Sequence, residues 1–178
     1  MYRSTVFFGR RGAILAILVL AAVAVLAAWL EEPLPPLGGA GRASDGDSFR
    51  LGQQRVRLLG LDAPELQQTC ALPAGERWPC GRTARDRMAA LLASGPVSCQ
   101  PEGQDRYDRL LARCRVKARD IGATLVSEGL ATSAGDYWDE QNAARRAGRG
   151  IWAGGFDLPA DWRADHPRPS GLLGWLGL

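Results

Sequence analysis

The chain has 178 residues, of which 46% are hydrophobic, enough for one globular domain with a sizeable core but not for two domains of ordinary size. Three of its 22 basic residues and none of its 19 acidic residues lie in the first thirty positions, so the remainder carries 19 of each. This balance excludes binding of a polyanion through overall positive charge. Any phosphate site must therefore be a local cluster of arginines.

The first thirty residues are predicted to be a transmembrane helix. Three arginines precede the uncharged run 13–30, which as a helix is about 27 Å long, close to the thickness of the hydrocarbon core. Positive charge before the run predicts a cytoplasmic N-terminus and an exported remainder. A cleaved signal peptide is the alternative, because the small residues at 22–24 and 25–27 have the spacing of cleavage sites. The remainder is then held at the inner membrane with its domain in the periplasm or outside, or it is secreted.

Composition divides the rest of the chain into three parts. Residues 31–42, rich in proline and glycine, are predicted to be a linker, residues 43–163 the globular domain and residues 164–178 a C-terminal tail.

Four short runs in the domain are typical of strands. The first two, SFRL and RVRLLGL, are joined by a GQQ turn, and PVSCQ and RLLARCRV follow later in the chain.

Three helices are predicted in the domain. The first is indicated by Ala84, Met88, Leu91 and Leu92, which recur at helical spacing. Asp120 can N-cap a second helix that ends at Gly129, and a third begins near Tyr137, with acids early and arginines late, as the helix dipole favours. The order of elements predicts an α+β fold, a five-stranded barrel of the OB type with about three packed helices.

The four cysteines are predicted to form two disulfides, because an even number in an exported domain is typical of an oxidised framework. The favoured pairs are Cys70–Cys80, which closes a short Pro-rich loop, and Cys99–Cys114, which joins two strands across a hairpin. A zinc site is the alternative. It is disfavoured because the chain has no CxxC pair and its single histidine, His166, lies in a Pro-rich tail.

Acids and arginines lie together near the ends of the predicted strands. Asp47, Asp62 and Glu65 are oxygen ligands without histidine or thiolate, a set that suits a hard cation such as Ca²⁺ or Mg²⁺. Acids beside glycine and proline are also ordinary turn formers. Arg57 lies inside a strand, where an inward arginine needs an anionic partner, and Arg109 opens another strand. Two guanidinium groups that face carboxylates around a metal ion would form a binding site for a phosphodiester. The alternative is that each arginine only forms a structural salt bridge.

Six segments follow one another along the chain: DGDSFRL, VRLLGLDAPE, CGRTA, DRYDRLLA, LVSEGLA and GIWAGGFDLPADWR. In this order they resemble the thermonuclease family of staphylococcal-nuclease-like enzymes, over about residues 43–163. The resemblance implies an OB-type barrel with helices and Ca²⁺-dependent hydrolysis of DNA and RNA, with Mg²⁺ as the alternative ion. It implies no protein partner, and a monomer is expected.

The resemblance implies roles for the acidic segment. Asp47 and Asp62 match the family's carboxylate ligands of Ca²⁺, and Ala63 would add its backbone carbonyl. Glu65 matches the glutamate near the attacking water, as a general base or a water-orienting group.

The resemblance also implies the substrate contacts. Arg57 and Arg109 match the two arginines that bind the phosphate and stabilise the five-coordinate transition state. Tyr107 and Tyr137 match tyrosines that line the nucleotide pocket, and Arg106 is included with them as a substrate-binding residue.

Three positions depart from the family pattern. Ser48 replaces a threonine and keeps the hydroxyl, and Gly135 replaces a frequent tyrosine. Asp108 replaces the glycine that precedes Arg109. Aspartate tolerates positive φ better than most residues, but its carboxylate is expected to pair with Arg109 and to weaken substrate binding. Asp108 and Gly135 support the alternative function, a catalytically weak or inactive OB-fold module that binds nucleic acid at the membrane surface.

Overall fold

The structure is a computed structural model that describes residues 10–30 and 34–167, with side chains of the first range described over 12–26. It divides after Pro33 into an N-terminal unit and a second unit that begins at Leu34. Most of the predicted C-terminal tail, from residue 168 onward, lies outside the described residues.

The N-terminal unit contains helix α1 (Arg10–Leu30). Among the residues that the structure describes, no helix is both long enough and apolar enough to cross a bilayer. The predicted transmembrane helix is therefore not confirmed.

The second unit is built from short strands and four helices in the part of the chain that the structure describes. The strands are β1 (Leu37–Gly39), β2 (Gly41–Ala43), β3 (Ser48–Leu51), β4 (Gln54–Leu58), β5 (Leu61–Asp62), β6 (Cys70–Ala71), β7 (Arg77–Trp78), β8 (Val97–Gln104), β9 (Leu110–Val116), β10 (Arg119–Asp120) and β11 (Thr132–Ser133). The helices are α2 (Cys80–Ala93), α3 (Ile121–Ser127), α4 (Trp138–Arg146) and α5 (Pro159–Asp165), with a 3₁₀ turn at Gly150–Ala153.

Seven strands form one curled sheet in the order β1-β8-β9-β4-β3-β2, with β10 paired to β9. Strands β4 and β9 are parallel, and the other pairs are antiparallel. This half-barrel confirms the α+β class and is consistent with the OB-type fold. It has more than the five strands predicted, because β1 and most of β2 lie in the Pro/Gly segment 31–42 that we interpreted as a linker. Backbone pairing of glycine-rich residues requires no side-chain pattern.

The apolar core lies under the sheet and against α2 and α3. Strand β3 alternates as expected, with Phe49 and Leu51 buried and Arg50 exposed. The four apolar positions predicted for α2, Ala84, Met88, Leu91 and Leu92, are all buried. Asp120 caps α3 as predicted, accepting a hydrogen bond of 2.9 Å from the amide of Ala123. These contacts fix the sheet on which the candidate site is built.

Both predicted disulfides are present. Cys70–Cys80 ties the start of α2 to β6, and Cys99–Cys114 joins register partners of the β8–β9 hairpin. Every cysteine of the chain is in a disulfide, so the zinc alternative is wrong.

The predicted helices correspond to α2, α3 and α4, whereas α5 was not predicted. Proline at its first turn starts α5, but seven residues rich in polar groups show no helical period.

Candidate active site

The β3–β4 hairpin brings an acid and an arginine together. Ser48 is the register partner of Arg57, and the amide of Leu58 donates a 2.9 Å hydrogen bond to the carbonyl of Asp47. The Arg57 guanidinium lies between two carboxylates, with Nη1 2.6 Å from Asp47 Oδ2 and Nη2 2.9 Å from Asp62 Oδ1. The predicted anionic partners of Arg57 are therefore these two acids.

Asp47 is the most deeply buried acid of the site, with 4% of its surface exposed. Burial raises the pKa of Asp47 to about 6, the charges of Asp45 and Asp62 act in the same direction, and Arg57 opposes them. A cation beside a buried carboxylate stabilises its ionised form, and a hydrogen bond with the Ser48 side chain acts in the same direction as Arg57. Asp47 is thus suited to hold a cation in addition to Arg57.

The glycine of the DGD segment permits the close packing at Asp47. A Cβ atom on Gly46 would lie 2.7 Å from the Cβ of Ala63 and 2.9 Å from the Cβ of Ala84. Ala63 is 3% exposed, and the turn that carries it is therefore pressed against the strand entry. This contact holds the Asp62 segment beside Asp47.

Glu65 joins the site through a residue that sequence reasoning missed. Arg163, on α5, donates a 3.0 Å hydrogen bond to Glu65 Oε1 and hydrogen bonds of 3.0 and 2.9 Å to the two carboxylate oxygens of Asp62. The amide of Glu65 donates to Gln68 Oε1 at 3.1 Å, which fixes the turn after β5. Two acids with different predicted roles are therefore held by one guanidinium from a distant segment.

The segment that ends in Arg163 was one of the six that carried the resemblance, but its arginine received no role. The sequence DLPADWR contains the signals of a short helix, since Pro159 is at its first turn. The location of Arg163 beside Asp62 could not be predicted, because the two residues are a hundred positions apart and no periodic pattern links them.

Arg109 is held by the loop that precedes β9. Its Nε and Nη2 lie 2.8 and 2.7 Å from Asp105 Oδ2, and Asp105 Oδ1 accepts hydrogen bonds from the amides of Tyr107 and Arg109. Although desolvation opposes it, hydrogen bonding by Arg109 and Tyr107 lowers the pKa of Asp105 below its ordinary value. Asp108 is exposed and has the predicted positive φ, 58°. The expected pairing of Asp108 with Arg109 is wrong, since the carboxylate that binds Arg109 is that of Asp105.

The parallel pairing of β4 and β9 places Arg57 and Arg109 on one face of the sheet. Leu111 is the register partner of Arg57, and Arg109 lies two residues before Leu111, where side chains return to the same face. Tyr107 is 54% exposed, and the guanidinium groups of Arg106 and Arg109 lie 4.9 and 5.6 Å from its ring centroid. An exposed ring close to two cations is suited to stack on a nucleotide base.

Tyr137 has a different environment from Tyr107. Its ring packs so closely on α3 that a Cβ on Gly122 would lie 2.8 Å from the ring, and its hydroxyl lies 3.2 Å from Asp120 Oδ1. Burial and the carboxylate of Asp120 raise the pKa of Tyr137 to about 12. These contacts tie α3 to the start of α4. The substrate-binding role of Tyr137 stays a prediction.

The oxygen atoms of the site provide some, but not all, of the ligands that a hard cation needs. Within residues 34–167 no group of three or more acids, histidines and cysteines is arranged to hold a metal ion. Asp47 and Asp62 converge on one guanidinium and so offer two carboxylates on one surface. Ca²⁺ or Mg²⁺ bound there would take its other ligands from water, a backbone carbonyl such as that of Ala63, and phosphate oxygens. The residues present fit such an ion with an incomplete protein ligand set.

Comparison with known proteins adds a family. The model of the family described as staphylococcal nuclease homologue matches residues 55–154. The chain is 34% identical over 124 residues to the succinoglycan biosynthesis protein ExoI of Rhizobium meliloti, covering 66% of this chain and 65% of that protein. It is 28% identical over 134 residues to an uncharacterized endonuclease of Haemophilus influenzae, covering 68% and 70%. It is 33% identical over 105 residues to the endonuclease YncB of Bacillus subtilis, covering 54% and 47%. The chain thus spans less than two thirds of two of these relatives, and Asp47 and Arg163 lie outside the matched family segment.

Proposed function

Because this chain belongs to the family of staphylococcal nuclease homologues, we propose that it is a Ca²⁺-dependent nuclease that hydrolyses phosphodiester bonds of DNA and RNA. The observation that carries the proposal is the guanidinium of Arg57, which lies between Asp47 and Asp62 on the face that also carries Arg109. Two cations beside converging carboxylates suit a phosphodiester next to a metal ion. The endonuclease names of two matched relatives support the same class of reaction.

Each side chain has a distinct task in the proposed reaction. Arg57 and Arg109 bind the nonbridging phosphate oxygens and offset the charge that grows in the five-coordinate transition state. Glu65 orients the attacking water and accepts its proton as the oxygen bonds to phosphorus. The bond to the 5′ oxygen breaks on the opposite side, and that oxygen takes up a proton from water to become a hydroxyl. The other product is a 3′-phosphate, a polarity implied by the family resemblance. Ca²⁺ held by Asp47 and Asp62 would add electrostatic stabilisation of the phosphate charge.

We propose that this activity lies outside the cytoplasm. The two disulfides support an oxidising compartment. The charge-free run 13–30 supports attachment to the inner membrane, or secretion if this segment is cut. A monomer that needs no protein partner is sufficient for the proposed chemistry, since all of its groups come from one chain. Fractionation of cells that carry an epitope tag at the C-terminus measures the compartment directly.

The decisive experiment measures cleavage of end-labelled single-stranded DNA and RNA by the full-length chain in Ca²⁺, in Mg²⁺ and with a chelator. We expect cleavage that requires the metal. Glu65→Gln should lower kcat by about 10² to 10⁴, the usual contribution of a general base. Arg57→Ala should lower it by about 10² to 10³, as expected for loss of a group that stabilises transition-state charge.

Glu102→Gln is the matched control, because Glu102 is also paired with an arginine, Arg113, but lies outside the candidate site. This variant should cleave like the wild type. Tight nucleic-acid binding without cleavage in any divalent ion would instead support the alternative function, an inactive binding module. The contacts of Arg163 with Asp62 and Glu65 favour that alternative, since they occupy oxygens that the metal and the water would use.

A further inference from the structure

Three exposed arginines lie side by side on neighbouring strands. Arg42 of β2 is the register partner of Arg50 of β3, and Arg50 is the register partner of Arg55 of β4. Partner residues of antiparallel strands project from the same face of a sheet, so the three side chains form one row. Because neighbouring strands are about 4.8 Å apart, the row is about 10 Å long. We call these three residues the arginine row.

The arginine row is unfavourable for the sheet alone. Like charges directly opposite each other on paired strands repel and destabilise the pairing. Within residues 34–167 no acid forms an ion pair with Arg42 or Arg50, and Arg55 donates a hydrogen bond to the carbonyl of Tyr107. Three aligned charges of one sign, without acids in contact, form a local positive potential. An anion that approaches from solvent would relieve their repulsion.

The arginine row leads into the candidate active site. Arg57 lies two residues after Arg55, on the same face and about 6.7 Å further along β4. On the other side of β4, Leu110 is the parallel partner of Val56, so Arg109, directly before Leu110, continues the row beside Arg55. The surface with the two predicted phosphate-binding arginines therefore extends across β4 and β3 to the outer strand β2.

We propose that the arginine row binds the sugar–phosphate backbone of a single-stranded nucleic acid, at nucleotides beyond the reacting phosphodiester. The inference rests on the proposed nuclease function and names its substrate class. A line of cations suits a chain of repeating phosphates. The exposed ring of Tyr107, flanked by Arg106 and Arg109, lies where the row meets the site and suits an unpaired base. Bases of a duplex are stacked on one another and are not available to that ring.

Binding measured without cleavage tests the row. Labelled (dT)20 and (rU)20 are titrated with full-length protein in EDTA at several NaCl concentrations. The triple variant Arg42→Gln, Arg50→Gln and Arg55→Gln should show a slope of log affinity against log salt that is shallower by about 2, because each contact on a single strand contributes about 0.7. Between about 50 and 200 mM NaCl the triple variant should therefore lose roughly fifteen-fold less affinity than the wild type. Similar losses with both oligomers indicate backbone recognition.

A charge-matched control separates the row from general charge. Arg115, Arg119 and Arg146 are exposed and carry no ion pair with an acid in the described part of the chain. Replacing these three by glutamine should leave the salt slope unchanged. A mononucleotide, which is too short to contact the active-site arginines and the whole row together, should bind the row variant and the wild type equally. The melting temperature of the row variant should change little, since the loss of repulsion between strands offsets the loss of the hydrogen bond from Arg55 to the carbonyl of Tyr107.

An unchanged salt slope in the row variant would overturn the proposal. So would a row variant that binds (dT)20 normally but no longer binds vesicles of phosphatidylcholine with phosphatidylserine, since the row would then contact a membrane. Failure of the nuclease proposal is distinguishable from both outcomes. A wild type that cleaves nothing in Ca²⁺ or Mg²⁺, but loses its steep salt dependence when the row is replaced, keeps the row as a binding surface and refutes the catalytic proposal.

Discussion

Replacement of Arg163 by alanine tests how the candidate site is held together. Arg163 makes three hydrogen bonds, of 2.9 to 3.0 Å, to Asp62 and Glu65, and these two side chains are only 13% and 12% exposed. Without Arg163, two neighbouring carboxylates lose a shared positive charge. Asp62 keeps its ion pair with Arg57. We therefore expect a moderate loss of stability together with stronger binding of a cation.

The size of the stability loss in Arg163→Ala depends on how far Arg163 is exposed to solvent. Hydrogen bonds to charged groups contribute about 1.5 to 3 kcal/mol each when buried, whereas exposed ion pairs contribute about 0.2 to 1 kcal/mol. Arg163 is 39% exposed, so solvent screening reduces the total to about 1 to 2 kcal/mol. For a chain of this length the melting temperature should fall by roughly 5 °C in the absence of metal. Removal of a unit charge in contact with both acids should tighten Ca²⁺ binding by about 1 to 2 kcal/mol, or about tenfold in Kd.

Two measurements and one control test this reasoning. Thermal unfolding in EDTA reports the stability loss, and calorimetric titration with CaCl₂ reports the affinity. Arg113→Ala is the matched control, because Arg113 is 41% exposed and also bridges two carboxylates, those of Glu102 and Asp136. It should lose similar stability with no change in Ca²⁺ affinity. An Arg163→Ala protein with unchanged Ca²⁺ affinity, or an equal gain in Arg113→Ala, would refute the assignment of Asp62 to a cation site next to Glu65.

Three further predictions concern the structure around the site. Because the pKa of Tyr137 is raised to about 12, its contribution to stability is present below about pH 10 and is lost as the pH rises through 12. Urea unfolding from pH 9 to 12 should show this loss in the wild type and in Tyr107→Phe but not in Tyr137→Phe, and an identical loss in all three would contradict it. Asp108 has φ 58°, so Asp108→Ala should be about 1 kcal/mol less stable than Asp108→Gly by urea unfolding; equal stabilities would disprove strain at this turn. Replacement of Cys99 and Cys114 by serine should cost about 3 kcal/mol, since the bond closes a loop of 15 residues, and an unchanged unfolding midpoint would count against this estimate.

Several elements were predictable because their signals are local. Asp120 caps α3 through an amide three residues away, and the buried positions of α2 recur within fourteen residues. The Cys99–Cys114 bond was predictable because a hairpin with a short loop brings its two strands into register. The pairing of Asp47 with Arg57 also lies within one hairpin, which is why the order of acids and arginine was informative.

Other parts of the site depend on contacts between distant segments. Arg163 reaches Asp62 across a hundred residues, and Asp105 rather than the nearer Asp108 binds Arg109 because the loop conformation directs it there. The spacing of residues in the sequence indicates which side chains share a face of one helix or strand. It does not indicate which elements pack together, and contacts between elements depend on that packing.

The arginine row shows the same division most clearly. Alternation within β3 and β4 already indicates that Arg50 and Arg55 face away from the core, because side chains of a strand alternate between its faces. Their alignment with Arg42 and Arg109 depends on the register of three strand pairs, which is set by backbone hydrogen bonds and by the burial of Phe49 and Val56. Local chemistry thus specifies the charges and the elements that carry them, while long-range packing places those charges on one surface.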